Sequence, residues 1–275
     1  MCETAVNEFS NCRQTRVKDQ GTNVDDHDAA YISCLSVQLI DKCIRQLHIG
    51  KSPGIDGLST EHLLYAHPLI VTHMSYLFKC IAVCGYVPNA FGRGIIIPII
   101  KDKLADANDL NNYRGITLIP VISKLFELII LELCQPFLKT DELQFGFKKN
   151  TGTANAVFVL SETVKHFLNN GSNIFAAALD LKKVFDKVNH FKLFSSLIKQ
   201  NIPMWILAIM INWYSKLYVS VRWNNTYSYN YQVKSGVRQG GPLSPALFNI
   251  FVNSIIEELQ GTGAGCKLGG FFISS

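Results

Sequence analysis

Ala178-Leu179-Asp180-Leu181-Lys182-Lys183-Val184-Phe185-Asp186 ends an apolar run that opens at Asn173. Its length and composition predict a buried strand over Asn173–Leu181 with Asp180 at its end. Working outward, Ala154–Leu168 upstream and His190–Lys199 and Pro203–Leu217 downstream have helical spacing. Val219, Val221 and Trp223 alternate, as do Tyr227, Tyr229, Tyr231 and Val233. Asn224-Asn225 between them tolerates the positive φ of a tight turn, which predicts a β-hairpin. Ser235-Gly236-Val237-Arg238-Gln239-Gly240-Gly241-Pro242-Leu243 then leads into a helix from Ser244 to Glu258, with Ser244 as cap and Pro245 at the first position. Lys267–Ile273 reads as one further strand.

Towards the start of the chain, Leu35, Leu39, Ile44 and Leu47 recur at roughly helical spacing and stop at Gly50. A short helix from Ser59, longer ones over Pro68–Cys84 and Ser123–Leu133, and strands over Gly94–Ile100 and Ile116–Ile119 follow. The polar loop 101–112 between those strands predicts a long hairpin. Helices interspersed with strands, without a regular βαβ alternation, make the fold class α+β. The first thirty residues show no apolar period and are expected to form a flexible leader.

The chain has 275 residues, 48% of them apolar and 17% charged, which excludes a disordered tail, a fibre or a coiled coil. Eight cysteines in this length are not a disulfide scaffold, and no apolar segment opens the chain, so an intracellular location with reduced thiols is expected, nucleus or cytoplasm unresolved. The longest uncharged apolar stretch, 201–215, is too short to span a membrane. Net charge is +5, unevenly placed. Residues 1–142 hold 13 Lys and Arg against 16 Asp and Glu, whereas residues 143–256 hold 12 against 3. A basic block of that kind points to a polyanionic partner, the plainer alternative being a solvated basic face.

Three motifs fail on inspection. Gly50-Lys51-Ser52 lacks the first glycine of a P-loop, because Arg45 stands there. Gly261-Thr262-Gly263-Ala264-Gly265 follows a helix rather than a strand, against a dinucleotide site. Cys80 and Cys84 with His62, His67 and His73 match no zinc spacing, and the two cysteines read as buried, inert thiols on an apolar helix.

Six segments survive in order: Gly50 to Leu64, Pro98-Ile99-Ile100-Lys101, Asn112-Tyr113-Arg114-Gly115-Ile116-Thr117-Leu118-Ile119-Pro120, Gln144-Phe145-Gly146-Phe147-Lys148, the Asp180 stretch, and Ser235–Pro245 with Ala246-Leu247-Phe248-Asn249. With these the chain, from about Ala30 onward, resembles the reverse transcriptase domain of non-LTR (LINE-type) retrotransposons, an RNA-directed DNA polymerase. Group II intron-type reverse transcriptases are the second possibility. The resemblance implies a right-hand polymerase fragment: a leader over 1–30, N-terminal helices and fingers over 31–172, and a partial palm over 173–275, with no thumb. It implies an RNA template, a DNA primer and dNTP as partners, no membrane, and two Mg²⁺ ions in the complete enzyme.

By the same resemblance, Asp180 is the catalytic carboxylate and, with the Leu181 carbonyl, holds metal, because Mg²⁺ prefers oxygen ligands on a rigid element. Phe185 packs against the incoming sugar and leaves no room for a 2′-hydroxyl. Lys101 and Arg114 reach the triphosphate, with Lys103 a weaker candidate. Gln239 and Gly240 contact the template–dNTP pair through a glycine turn before a helix N-terminus. Lys148, Lys149, Lys182, Lys183 and Lys187 form a basic patch, and Asp186 reads as structural rather than a ligand. Lys148, Val184, Gly115 and Gly241 depart from the commoner residues of the family. The aromatic-x-Asp-Asp segment that supplies its remaining metal ligands would fall just past Ser275. The chain by itself is therefore expected not to extend a primer, and a truncated or domesticated fragment with residual RNA binding is the alternative reading.

Overall fold

The sheet grows from a run of β-branched residues, Arg93–Ile100 (β1), whose stiff side chains suit an extended backbone. In the computed structural model, which describes residues 32–104, 106–181, 183–262, 265–268 and 271–273, β1 pairs antiparallel with Tyr113–Leu118 (β2). The register places Ile96 opposite Thr117 and Ile99 opposite Arg114. The polar loop between them is a series of aspartate turns. Asp102, Asp106 and Asp109 accept from the amides of Leu104, Asn108 and Asn111 at 3.0, 2.9 and 2.8 Å.

On its other edge β1 takes Tyr218–Trp223 (β3) in parallel, from Arg93 beside Tyr218 to Ile96 beside Val221. That pairing stops two residues before Pro98, which therefore owes β3 no amide proton. Thr226–Tyr227 (β4) and Tyr231–Gln232 (β5) complete the sheet by pairing antiparallel with β3. The expected hairpin is present, and its first turn residue, Asn224, has φ +53°.

Helices pack around this sheet's inner end. Val37–Gln46 (α1), capped by Ser36, buries Ile40, Cys43 and Ile44 against Leu69–Cys84 (α3) and Val121–Cys134 (α4). Thr60–Leu64 (α2) is a single short turn. His190–Lys199 (α6), Met204–Tyr214 (α7) and Ser244–Gly261 (α8) close the core from the other side. At its centre Trp213 lies 5.3 Å from the Phe126 ring and 6.4 Å from Phe91, and Phe126 stacks on Phe78 at 5.1 Å. Burial pushes the thiols of Cys43 and Cys134 up to about 11 and about 12. No described helix is long and apolar enough to cross a membrane.

Four expectations change. Asn173–Leu181 is not a buried strand: it is exposed and unpaired, with Phe175 95% accessible. A strand is buried by its neighbours, and no described strand is in register with this one. Lys267–Ile273 is two short antiparallel strands, Cys266–Leu268 (β6) and Phe271–Ile273 (β7), with the Gly269-Gly270 dipeptide between them. Leu243, not Ser244, is the N-cap of α8. Cys80 is exposed and Cys84 half-buried, because they sit on the outer side of α3 while Phe78 and Ile81 face inward. The leader lies outside the described residues.

Thr153–Asn169 (α5) buries only Thr163 among its residues, and Val157, Phe158 and Leu160 are exposed.

Candidate functional site

Phe185 and Asp186 sit in a 3₁₀ turn, Val184–Lys187, entered through Lys183 at φ +53°. That turn carries the glycine loop on its backbone. The Val237 amide donates to the Phe185 carbonyl and the Gly236 amide to Val188, both at 2.8 Å. Ser235 Oγ donates to the Asp186 carbonyl at 3.1 Å, and His190 Nε2 lies 2.8 Å from the Gly236 carbonyl. Gly236 has φ +92°, and a Cβ there would stand 2.8 Å from the Phe185 carbonyl oxygen, so the approach requires glycine.

From there the loop reaches the outer edge of β2. The Thr117 amide donates to the Gln239 carbonyl at 2.7 Å, and Gly240, at φ +117°, passes so close that its Cβ would be 2.8 Å from the Thr117 carbonyl. Gln239 Nε2 donates to Asp186 Oδ1 at 3.3 Å. The Asp186 carboxylate therefore meets the side chain of the glycine loop. A cleft of about 400 Å³ separates the loop from the sheet, with Ile96, Gly115, Thr117 and Val219 on one wall and residues 231–239 on the other. Burial, together with the charge of Asp186, raises the Tyr231 phenol at its mouth.

The loop is anchored by a buried ion pair that sequence reasoning missed. Arg238 Nη2 donates to Glu127 Oε1 at 2.5 Å, with the side chains 6% and 3% exposed. Arg238 Nη1 donates to the Phe91 carbonyl at 3.0 Å, and its guanidinium lies 4.7 Å over the Trp213 ring. Glu127 Oε2 accepts the Leu243 amide at 3.1 Å, which ties the start of α8 to α4. The signal was Glu127, a carboxylate inside the otherwise apolar run Leu125–Leu131 of that helix.

Phe185 is half-buried and held by rings. It stacks on Phe248 at 4.5 Å and meets Phe147 edge-on at 5.7 Å. Phe147, at φ +52°, projects from the 144–148 segment, which is tied to α8 by Gln144 Nε2 to the Asn249 carbonyl at 3.2 Å and Asn249 Nδ2 to the Gly146 carbonyl at 2.8 Å. Three segments that are distant in sequence therefore meet at one aromatic cluster.

The remaining candidates stand apart from it. Asp180 and Leu181 lie in the exposed 172–181 stretch, and neither makes a side-chain hydrogen bond to another described residue. Among the described residues no three His, Cys, Asp or Glu side chains gather to hold a metal ion. The Asp180 carboxylate and Leu181 carbonyl offer suitable oxygens, but two of them fall short of a Mg²⁺ shell, so these residues alone do not fit a two-metal centre. Lys101 follows β1 directly, its ammonium donating to the Asn111 carbonyl at 2.8 Å. Arg114 is exposed on β2, on the sheet face opposite the cleft. Lys148 is held by the Asp141 carbonyl, Lys149, Lys183 and Lys187 are exposed, and Lys182 lies outside the described residues.

Residues 100–272 match the reverse transcriptase (RNA-dependent DNA polymerase) family. The chain is 25% identical over 224 residues to the probable RNA-directed DNA polymerase from transposon BS of Drosophila melanogaster, covering 80% of this chain and 24% of that protein. It is 24% identical over 228 residues to the RNA-directed DNA polymerase from mobile element jockey of the same species, covering 82% and 25%. It is 27% identical over 220 residues to the Pol polyprotein from the type-1 retrotransposable element R2 of Nasonia vitripennis, covering 76% and 20%. The chain spans about a quarter of the length of these relatives. With well over half its length inside the matched region, and with the Phe185 turn, the Gln239–Gly240 loop and β2 joined as described, the chain belongs to the reverse transcriptase family and is similar to the polymerases of non-LTR retrotransposons.

Proposed function

We propose that this chain supplies the nucleotide- and template-facing part of an enzyme that copies RNA into DNA, extending a DNA primer with dNTP. The observation that carries the reading is the glycine loop, which takes the Phe185 carbonyl through Val237 and the edge of β2 through Gln239 and the close approach of Gly240, all by backbone rather than by adjustable side chains. A site that must hold a base pair and a sugar to within a fraction of an ångström gains from such preorganisation. Phe185, clamped between Phe147 and Phe248, presents a ring that cannot retreat to admit a 2′-hydroxyl and offers it no hydrogen bond. Gln239 and Gly240 face the nascent pair with a side-chain amide and a close-lying backbone. Arg114 and Lys101 are the chain's candidates for the phosphates of the dNTP, although Arg114 stands on the sheet face opposite the cleft and Lys101 donates to the Asn111 carbonyl.

Reverse transcriptases in general use divalent metal ions. Asp180 and the Leu181 carbonyl are the oxygens this chain offers to them, Mg²⁺ in our reading, and they complete neither ion's shell.

The test is a ternary-complex assay. A dideoxy-terminated DNA primer on an RNA template is titrated with the chain, with and without the dNTP complementary to the next template base. Expected are salt-sensitive binding of the primer–template and a further gain with the complementary dNTP only, reduced by Gln239→Ala. No binding at low salt, or equal gains with all four dNTPs, would overturn the reading. Binding without nucleotide selection would favour a fragment that retains only its affinity for nucleic acid.

A further inference from the structure

Among the described residues, five other than glycine have a positive φ. Asn150, Asn201 and Asn224 are of the type that tolerates this backbone, whereas Lys183 and Phe147 are not. The two exceptions converge on one ring: Lys183 opens the turn that carries Phe185, and Phe147 meets Phe185 edge-on. Burial does not offset the strain at Phe147, because the residue is 61% exposed. A bulky side chain held on an unfavourable backbone, with little of it in the core, points to a task for the ring itself.

The strain is imposed from α8. Asn249, 4% exposed, donates from Nδ2 to the Gly146 carbonyl at 2.8 Å, and its own carbonyl accepts Gln144 Nε2 at 3.2 Å. One helical turn further on, Asn253 Oδ1 accepts the Asp141 amide at 2.7 Å. Buried amides on one face of the helix thus pin the segment leading to Phe147, and the peptide plane that precedes its φ is fixed. Phe248, the neighbour of Asn249 in the same helix, holds Phe185 directly, so one turn of α8 governs both rings that touch Phe185.

Phe185 and Phe248 are nearly parallel, 17° apart with centroids at 4.5 Å. Stacking of that kind fixes the separation of two rings and leaves them free to slide in their own planes. Phe147 stands at 85° to Phe185 and 90° to Phe248, with centroids at 5.7 and 6.2 Å. Distances so nearly equal put it beside the stack rather than on top of it, where it blocks the slide. We infer that Phe147, gripped through Asn249, is a positioning residue for sugar selection: it keeps Phe185 from slipping along Phe248 and opening room for a 2′-hydroxyl. The inference rests on the polymerase reading of Phe185 and adds to it the strained strap that decides how strict the selection is.

The test uses the full chain on the dideoxy-terminated primer–template and measures the ratio of dNTP to rNTP affinity for the next template base, beside the melting temperature. Phe147→Gly should melt close to the parent, since glycine accepts φ +52° and little buried surface is lost, while the ratio falls about threefold. Phe147→Tyr should keep the ratio. Asn249→Ala, which frees the Gly146 carbonyl, should lower the ratio by a similar factor along with the melting temperature; if it does not fold, Phe147→Gly decides alone. In a Phe185→Ala background Phe147→Gly should change the ratio no further, because the ring it braces is gone. An unchanged ratio in Phe147→Gly or in folded Asn249→Ala, an equal fall in Phe147→Tyr, or an additive effect in the Phe185→Ala background overturns the inference and leaves the polymerase reading intact. If the parent takes dNTP and rNTP alike, or gains from neither, the reading of Phe185 fails first and this one with it.

Discussion

Replacing Glu127 by leucine leaves Arg238 as an uncompensated charge in a site where its side chain is 6% exposed. Breaking a buried pair by removing one partner costs about 3–5 kcal/mol. The carboxylate also accepts the Leu243 amide, and a stranded buried donor costs about 1–3 kcal/mol. Leucine recovers part of this by filling the space, which leaves an expected loss of about 4 kcal/mol against the roughly 5–15 kcal/mol that holds a domain together. Glu127→Gln, which keeps an acceptor but no charge, should cost about half as much. The double variant Glu127→Leu with Arg238→Met removes both charges, and Met can lie over Trp213, so it should be more stable than Glu127→Leu alone by about 2 kcal/mol. The assay is urea unfolding followed by tryptophan fluorescence, since Trp213 sits under the guanidinium, with far-ultraviolet circular dichroism as the second probe. A cost below about 1 kcal/mol for Glu127→Leu, or a double-mutant cycle additive within about 0.5 kcal/mol, would refute the view that this pair anchors the glycine loop.

Phe185→Ala should lower the preference for dNTP over rNTP in the ternary-complex assay about tenfold, and an unchanged ratio would remove Phe185 from sugar selection. Gly236→Ala should destabilise the fold by about 2 kcal/mol or more, because φ +92° and the close Phe185 carbonyl both oppose a Cβ; a melting temperature equal to the parent's would contradict the loop geometry. The Glu61 carboxyl is held down at about 2, below its ordinary 4.5, by the Gly50 amide at 2.6 Å and by the Ser59 hydroxyl. A carboxyl lowered in the folded state stabilises it fully above its ordinary value and loses that contribution as pH falls towards 2. Hydrogen-exchange protection of the Gly50 amide should therefore drop between about pH 4.5 and 2, and not in Glu61→Gln, where little protection is expected at any pH.

Most helices and the two hairpins were legible because their causes are local. Apolar spacing, Pro245 in the first turn of a helix, and Asn224 at a turn each act within a few residues. The Asp180 run misled because its residues are those of a buried strand, while burial is conferred by neighbours that local pattern does not contain. Glu127 was visible as a charge out of place, but Arg238 lies 111 residues away and nothing local joins them. The motif order brought Phe185 and Gln239 to attention singly. That one loop bonds both the Phe185 turn and Thr117 of β2, and that Phe147 and Phe248 hold the Phe185 ring, is a property of packing.

The parallel pairing of β1 with β3 brings Ile96 beside Val221, about 125 residues later in the chain. Closing a loop of that length costs about 4 kcal/mol in chain entropy before any contact rewards it, whereas the β1–β2 hairpin closes over a dozen residues. The two local hairpins can therefore form early and independently, and the seam between them waits for the intervening helices to dock. During synthesis β1 and β2 leave the ribosome about a hundred residues ahead of β3, the strand that pairs with the other edge of β1. Until β3 arrives, one edge of β1 keeps its backbone groups open, so the early hairpin is a place where strands can pair wrongly.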